Sequence, residues 1–168
     1  MLDDVTFMKE ALKEAQEAFQ AGEVPIGAVL VDAEGTIVAR AHNMRETWHD
    51  GTAHAEIIAL QEAAMKLGRW RLSGLTLYVT IEPCPMCAGA LVMSRVDRVV
   101  YGATDAKAGA CESLFNIVRH PALNHQLEMR AGVLEDECRA IMKRFFRQRR
   151  KKSSALKKCA NQAFDAPE

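Results

Sequence analysis

His54-Ala55-Glu56 is answered, thirty positions after the histidine, by Pro83-Cys84-Pro85-Met86-Cys87. The two segments supply one imidazole, two thiols and a carboxylate. Zinc is usually held tetrahedrally, and a catalytic site takes three protein ligands and leaves the fourth position to water. His54, Cys84 and Cys87 fill three corners in this reading. Glu56, two residues from the histidine, is then the proton carrier for that water.

Two blander readings compete. Cys84 and Cys87 alone could form a redox pair, but a redox pair leaves the His-x-Glu unexplained. A closed structural zinc site needs a fourth ligand, for which Cys111, Cys138, His42 and His49 are available. No second Cys-x-x-Cys and no His-x₃-His supplies it with ordinary finger spacing.

The elements that must hold these residues are legible as patterns. Thr52 suits the N-cap of a helix starting near Ala53, with Ile57, Ile58, Leu60, Ala64 and Leu67 behind it and Gly68 as its stop. Pro83 suits the first turn of a second helix, on which Cys84 and Cys87, three apart, share a face. Both ligand sets then sit at helix N-termini, whose partial positive charge favours thiolate. Met86 and Met93 read as core. A first helix shows apolar periodicity through Met8, Ala11, Leu12, Ala15 and Phe19, and Ile26–Val31, a turn at Asp32–Gly35 and Thr36–Ala41 read as a hairpin. Leu75–Thr80, Arg98–Gly102 and Leu127–Ala131 read as further strands, and Leu134 to Lys152 as a helix. Strands alternating with helices predict an α/β layered domain over 1–152, with 153–168 a loose tail.

With 168 residues, 49% of them hydrophobic, the chain can bury one core, and no apolar run is long enough to span a membrane. Its first residues do not read as a signal peptide, and five cysteines, two of them committed to metal, argue against a secreted disulfide framework. The cytoplasm is the expected location. The formal net charge of zero conceals a polarity. Residues 1–138 hold 12 Lys+Arg against 20 Asp+Glu, and residues 139–168 hold 10 against 2. A basic block of that kind reads as a nucleic-acid contact or as a solvated helix face. Phe145 and Phe146, followed by Arg147, Arg149 and Arg150, mix base-stacking rings with phosphate-neutralising cations. Helical phase cannot bury both rings equally, so one is expected at the surface.

Glu23–Val29, Asn43, Thr52–Glu56, Tyr78–Cys84, Gly102–Lys107 and Phe145-Phe146 resemble, in order and spacing, the bacterial tRNA-specific adenosine deaminase family of the zinc deaminases. The resemblance runs from the first helix to about Arg150. It implies a cytidine-deaminase-like three-layer α-β-α fold with a mixed five-stranded sheet, one Zn²⁺ per subunit, and a homodimer. It implies hydrolytic conversion of adenosine to inosine at wobble position 34 of a tRNA anticodon, in most bacteria that of an arginine tRNA. Asn43 matches the position that hydrogen-bonds the flipped nucleoside, Asp105 and Lys107 match a loop near the RNA backbone, and Phe145, Phe146 and Arg149 complete the expected substrate contacts. Cys111 and Glu112 depart from the family's small residues. A guanine, cytosine or nucleoside deaminase shares the zinc signature, but has no use for the basic aromatic helix. A silent RNA-binding subunit would gain nothing from Glu56.

Overall fold

The computed structural model describes residues 3–164. Helix α1 (Asp4–Gln20) starts where the Asp3 carboxylate accepts the Val5 N–H, and it buries Met8, Ala11, Ala15 and Ala18 along one stripe. Strands β1 (Gly27–Val31) and β2 (Ile37–His42) form the expected hairpin. Asp32 closes its turn by accepting the N–H groups of Glu34 and Thr36 at 3.1 and 2.7 Å. Then come α2 (Arg45–Trp48), α3 (Ala55–Leu67), β3 (Thr76–Ile81), α4 (Pro85–Met93), β4 (Arg98–Ala103), β5 (Glu128–Arg130) and α5 (Glu135–Phe164).

The strands make one sheet in the order β2-β1-β3-β4-β5. β1 runs antiparallel to β2 and β3, whereas β3, β4 and β5 are mutually parallel. A parallel neighbour needs a crossover, and α4 supplies it between β3 and β4. Ala28, Leu30, Leu77, Val79 and Val99 pack with α3 and α4 on one face. Val29, Val31, Tyr78 and Val100 pack with α1 and α5 on the other. The three-layer α-β-α fold with a mixed five-stranded sheet is therefore what the chain adopts. Gly27 is required by the packing: a Cβ there would lie 2.1 Å from the Ala11 carbonyl oxygen of α1. Among the described residues no helix is long and apolar enough to cross a membrane.

Several expectations need correction. Helix α3 begins at Ala55, with His54 as its N-cap in place of Thr52. Thr52 is drawn into a turn, its N–H and hydroxyl both held by Asp50 at 2.7 Å. Helix α4 likewise begins two residues later than expected, with Cys84 as N-cap and Pro85 at its first position. Met93 is 68% exposed and so is no core residue, because it falls on the outer side of the last turn of α4. The loop read between β2 and α3 contains α2. The last helix passes Lys152 and reaches Phe164, since no glycine or proline interrupts it before Pro167. The end of the expected tail, 165–168, lies outside the described residues.

Asp4 ties the sheet's α1 face together. Its carboxylate accepts Tyr78 Oη at 2.8 Å, two bonds from Arg98 at 2.7 and 2.9 Å, and one from Arg130 at 2.5 Å. Burial pushes this acid up, but the bonds from Arg98, Tyr78 and Arg130 outweigh it and hold its pKa at about 2. A folded pKa below the unfolded one gives stability that is present above the ordinary carboxylate range and lost as pH falls towards 2. The shift corresponds to about 2 kcal/mol at neutral pH. Asp4→Asn should therefore cost about that much in chemical denaturation at pH 7, with the gap to the parent closing as pH drops from 5 to 2. A gap that stays constant over that range would contradict the assignment.

Candidate active site

Each ligand segment is delivered by a helix start. At the N-cap of α3, His54 has extended backbone (φ −78°, ψ 150°), and Cys84 does the same at the N-cap of α4 (φ −73°, ψ 173°). His54 Nδ1 lies 3.6 Å from Cys84 Sγ and 3.5 Å from Cys87 Sγ, and all three donor atoms fall within 4.8 Å of one another. A tetrahedral ion with ordinary metal–nitrogen and metal–sulfur bonds would separate such donors by about 3.6 Å. The spacing therefore fits a metal ion. Among the described residues no fourth histidine, cysteine or acid joins the group. His42 is turned to Glu14 at 3.1 Å, while Cys111 and Cys138 are buried in the two cores.

The two thiols are hydrogen-bonded to each other and influence each other in opposite directions. The hydrogen bond with Cys87 is the largest influence on Cys84 and, with His54, overcomes burial to bring its thiol down to about 4. Cys87 is pushed up, chiefly by its hydrogen bond with Cys84 and then by burial. The hydrogen bond to Cys84 raises His54 in turn. Cys84 is thereby favoured as thiolate, the form that binds a cation.

Glu56, in the first turn of α3, adjoins this group. It is 4% exposed, and its Oε2 has no hydrogen-bond partner among the described residues. Burial raises its pKa. A carboxylate left with a free oxygen in a closed site is equipped to take and return a proton. A pocket of about 70 Å³ opens beside it, lined by Val24, Ile26, Asn43, Arg45, His54 and Glu56. Asn43 is buried; it donates to Val24 O and accepts the Arg45 N–H, both at 3.3 Å. Asn43 thus joins the pocket wall.

The remaining expected contacts divide between two places. Asp105, Lys107 and Phe146 line one groove of about 650 Å³ together with Arg139, Lys143, Arg147 and Arg150. Asp105 also caps its own turn, accepting the N–H groups of Lys107 and Ala108. Phe145 lies on the other side of α5, buried edge-on against Phe19 with a centroid distance of 5.7 Å. Phe146 is the exposed ring of the pair, as helical phase required. Arg149 lies over the Phe145 ring at 5.8 Å and 3.9 Å from Glu46 of α2.

Two buried carboxylates escaped the sequence reading. Glu23 is fully buried and holds α2 by accepting the Thr47 N–H and hydroxyl at 2.6 and 2.9 Å. Glu82 is 3% exposed and accepts hydrogen bonds from the segment 105–113. The signal for Glu82 is a charge directly after an apolar strand and directly before the first ligand proline.

Residues 2–150 match the family model of the MafB19-like deaminases. Over 158 residues the chain is 55% identical to a tRNA-specific adenosine deaminase of Bacillus subtilis strain 168, covering 94% of this chain and 98% of that protein. A tRNA-specific adenosine deaminase of Aquifex aeolicus strain VF5 is 46% identical over 144 residues, covering 86% and 94%. Among solved structures, one from a study of A-to-I editing by tRNA:A34 deaminases superposes with a TM-score of 0.77 at 45% identity, over 81% of this chain and 98% of that one. A guanine deaminase of Bacillus subtilis matches with a TM-score of 0.59 at 36% identity, over 76% and 83%.

The three-donor group predicts its own dissection. Cys87→Ala leaves two donors and should empty the site of metal by elemental analysis, whereas Cys111→Ala should keep full metal content. Full occupancy in Cys87→Ala would remove that thiol from the ligand set.

Proposed function

The chain belongs to the MafB19-like deaminases, alongside the tRNA-specific adenosine deaminases, and from that premise we propose that it converts adenosine to inosine at wobble position 34 of a tRNA. The carrying observation is the pairing of a buried carboxylate, Glu56, one oxygen of which has no partner among the described residues, with the three-donor group beside one small pocket. Its relatives' names and the basic groove along α5 support RNA as the substrate.

Zinc fits the donor set of one imidazole and two cysteines, and His54, Cys84 and Cys87 would hold one ion per subunit. Bound there, it supplies the Lewis acidity that brings the pKa of water towards about 7. The chain's own residues do the rest. Glu56 takes one proton from the attacking water and delivers it to ring nitrogen N1, then takes the remaining proton from the new C6 hydroxyl and gives it to the amine as the C6–N bond breaks, so that adenosine and water become inosine and ammonia. Its raised pKa suits both the giving and the taking. Asn43 and the pocket wall orient the flipped base. The cations of the groove neutralise phosphates, Phe146 offers a stacking face, and Arg149, seated on Phe145, faces the RNA near the pocket mouth. A cytoplasmic homodimer acting on an arginine tRNA completes the reading. Trp70, Met93 and Phe115, each more than half exposed, are apolar side chains that a second copy would cover.

Incubation of the purified protein with total tRNA, followed by sequencing, should reveal inosine at position 34. Turnover of free guanine with tRNA left untouched would favour the small-molecule reading instead. Glu56→Ala should keep its zinc and lose turnover by at least about a hundredfold; near-parental turnover would sink the proton-shuttle role. Neutralising Arg147 and Arg150 should weaken tRNA binding and lower the salt slope of log K by roughly 1 to 2. A salt slope equal to the parent's would exclude those two from phosphate contact.

A further inference from the structure

β3 ends at Ile81, and the next residue is a buried acid that no lysine, arginine or histidine pairs among the described residues. Glu82 Oε1 accepts the backbone N–H groups of Cys111, Glu112 and Ser113 at 3.2, 2.8 and 2.9 Å. Its Oε2 accepts the Asp105 N–H at 3.0 Å and the Ser113 hydroxyl. An ionised carboxylate has about four lone-pair positions, and a buried one without a cation is tolerated only when donors fill them. Five donors from one loop do so here.

The loop is shaped around the charge. At Gly109 a Cβ would lie 2.3 Å from Glu82 Oε2 and 2.5 Å from the Asp105 carbonyl, so any side chain would push the loop off the carboxylate. The same loop carries Asp105 and Lys107 into the large groove, and it is tied to the ligand segment by Ala110 N–H donating to Pro83 O at 2.8 Å. A hydrophobic residue at 82 could fill the space but could not fix the direction of five donors.

We propose that Glu82 is a positioning residue for substrate binding: a buried anion that sets the 105–113 loop in the groove. The proposal rests on the reading that the groove receives RNA. Interactions made equally with the bound substrate and with the transition state raise KM and leave kcat unchanged when lost. Glu82→Gln turns an acceptor into a donor facing donors. It should raise KM for tRNA about tenfold, keep kcat within about twofold and retain zinc. Gly109→Ala disturbs the same contact from the loop side and should shift KM in the same direction. Asp4→Asn, which weakens the ion cluster on the α1 face, serves as the stability control and should lower the melting temperature without moving KM.

Amide hydrogen exchange of the RNA-free protein separates this proposal from the substrate reading. In Glu82→Gln, the amides of Asp105 and Cys111–Ser113 should exchange faster, while those of β3 and β4 stay protected. Unchanged exchange at those amides, or parental KM in both Glu82→Gln and Gly109→Ala, overturns the clamp. Loss of zinc in Glu82→Gln with parental exchange at those amides also overturns it and assigns Glu82 to the Cys84 centre. Should Glu82→Gln fail to fold, Ser113→Ala removes one donor of the five; a parental KM there and in Gly109→Ala is equally contrary. A parent protein that ignores tRNA would sink the substrate reading, and the exchange result would still decide the clamp.

Discussion

β3 is buried along its whole length between an antiparallel and a parallel neighbour, and the cysteine half of the site depends on where it stops. Pairing on both edges fixes its register, because a slip of one residue would exchange the faces occupied by Tyr78 and Val79. The end of the strand is therefore fixed in space, and with it the three residues that follow. Glu82 anchors a loop, Pro83 carries its carbonyl to Ala110, and Cys84 caps the crossover helix. The second ligand segment arrives independently, on the helix that packs over β1 and β2. A metal site built from two helix starts joins two neighbouring helices of one layer, which the sheet has already aligned.

Around that centre the polar interior is organised by anions. Asp4 is balanced by two arginines and a tyrosine. Glu82 is balanced by loop donors, and Glu23 by α2, although one oxygen of Glu23 has no partner among the described residues. Glu56 also has a bare oxygen, and it alone of these four lines the small pocket. Burial that is compensated by donors makes structure. Where an oxygen is left free in a pocket wall, the same chemistry becomes reactive. The acid in the pocket is supported by neighbours that are themselves held by acids on either flank: α2 through Glu23, and the 105–113 segment through Glu82.

The layered α/β fold and the three donors were legible because they follow from local signals, alternation, helical period and ligand spacing, whereas the mixed five-stranded sheet was implied by the family resemblance alone. The helix starts were misplaced by two residues because Asp50 competes for Thr52 and because Pro85, rather than Pro83, takes the first helical position. Short α2 has no apolar periodicity to announce it. The roles of Glu23 and Glu82 depend on contacts more than twenty residues away in sequence, which no local pattern encodes. Phe145 and Phe146 could be separated by phase, but that Phe146 shares a groove with Lys107 is a consequence of tertiary packing.

The central claim is an open centre with three protein ligands and a carboxylate that stays off the metal. Zinc K-edge X-ray absorption on the purified protein tests it most directly. The expected first shell is two sulfurs at about 2.3 Å and two nitrogen or oxygen atoms at about 2.0–2.1 Å, with the outer scattering of a single imidazole. A third sulfur or a second imidazole would mean a closed structural site, and would contradict the account.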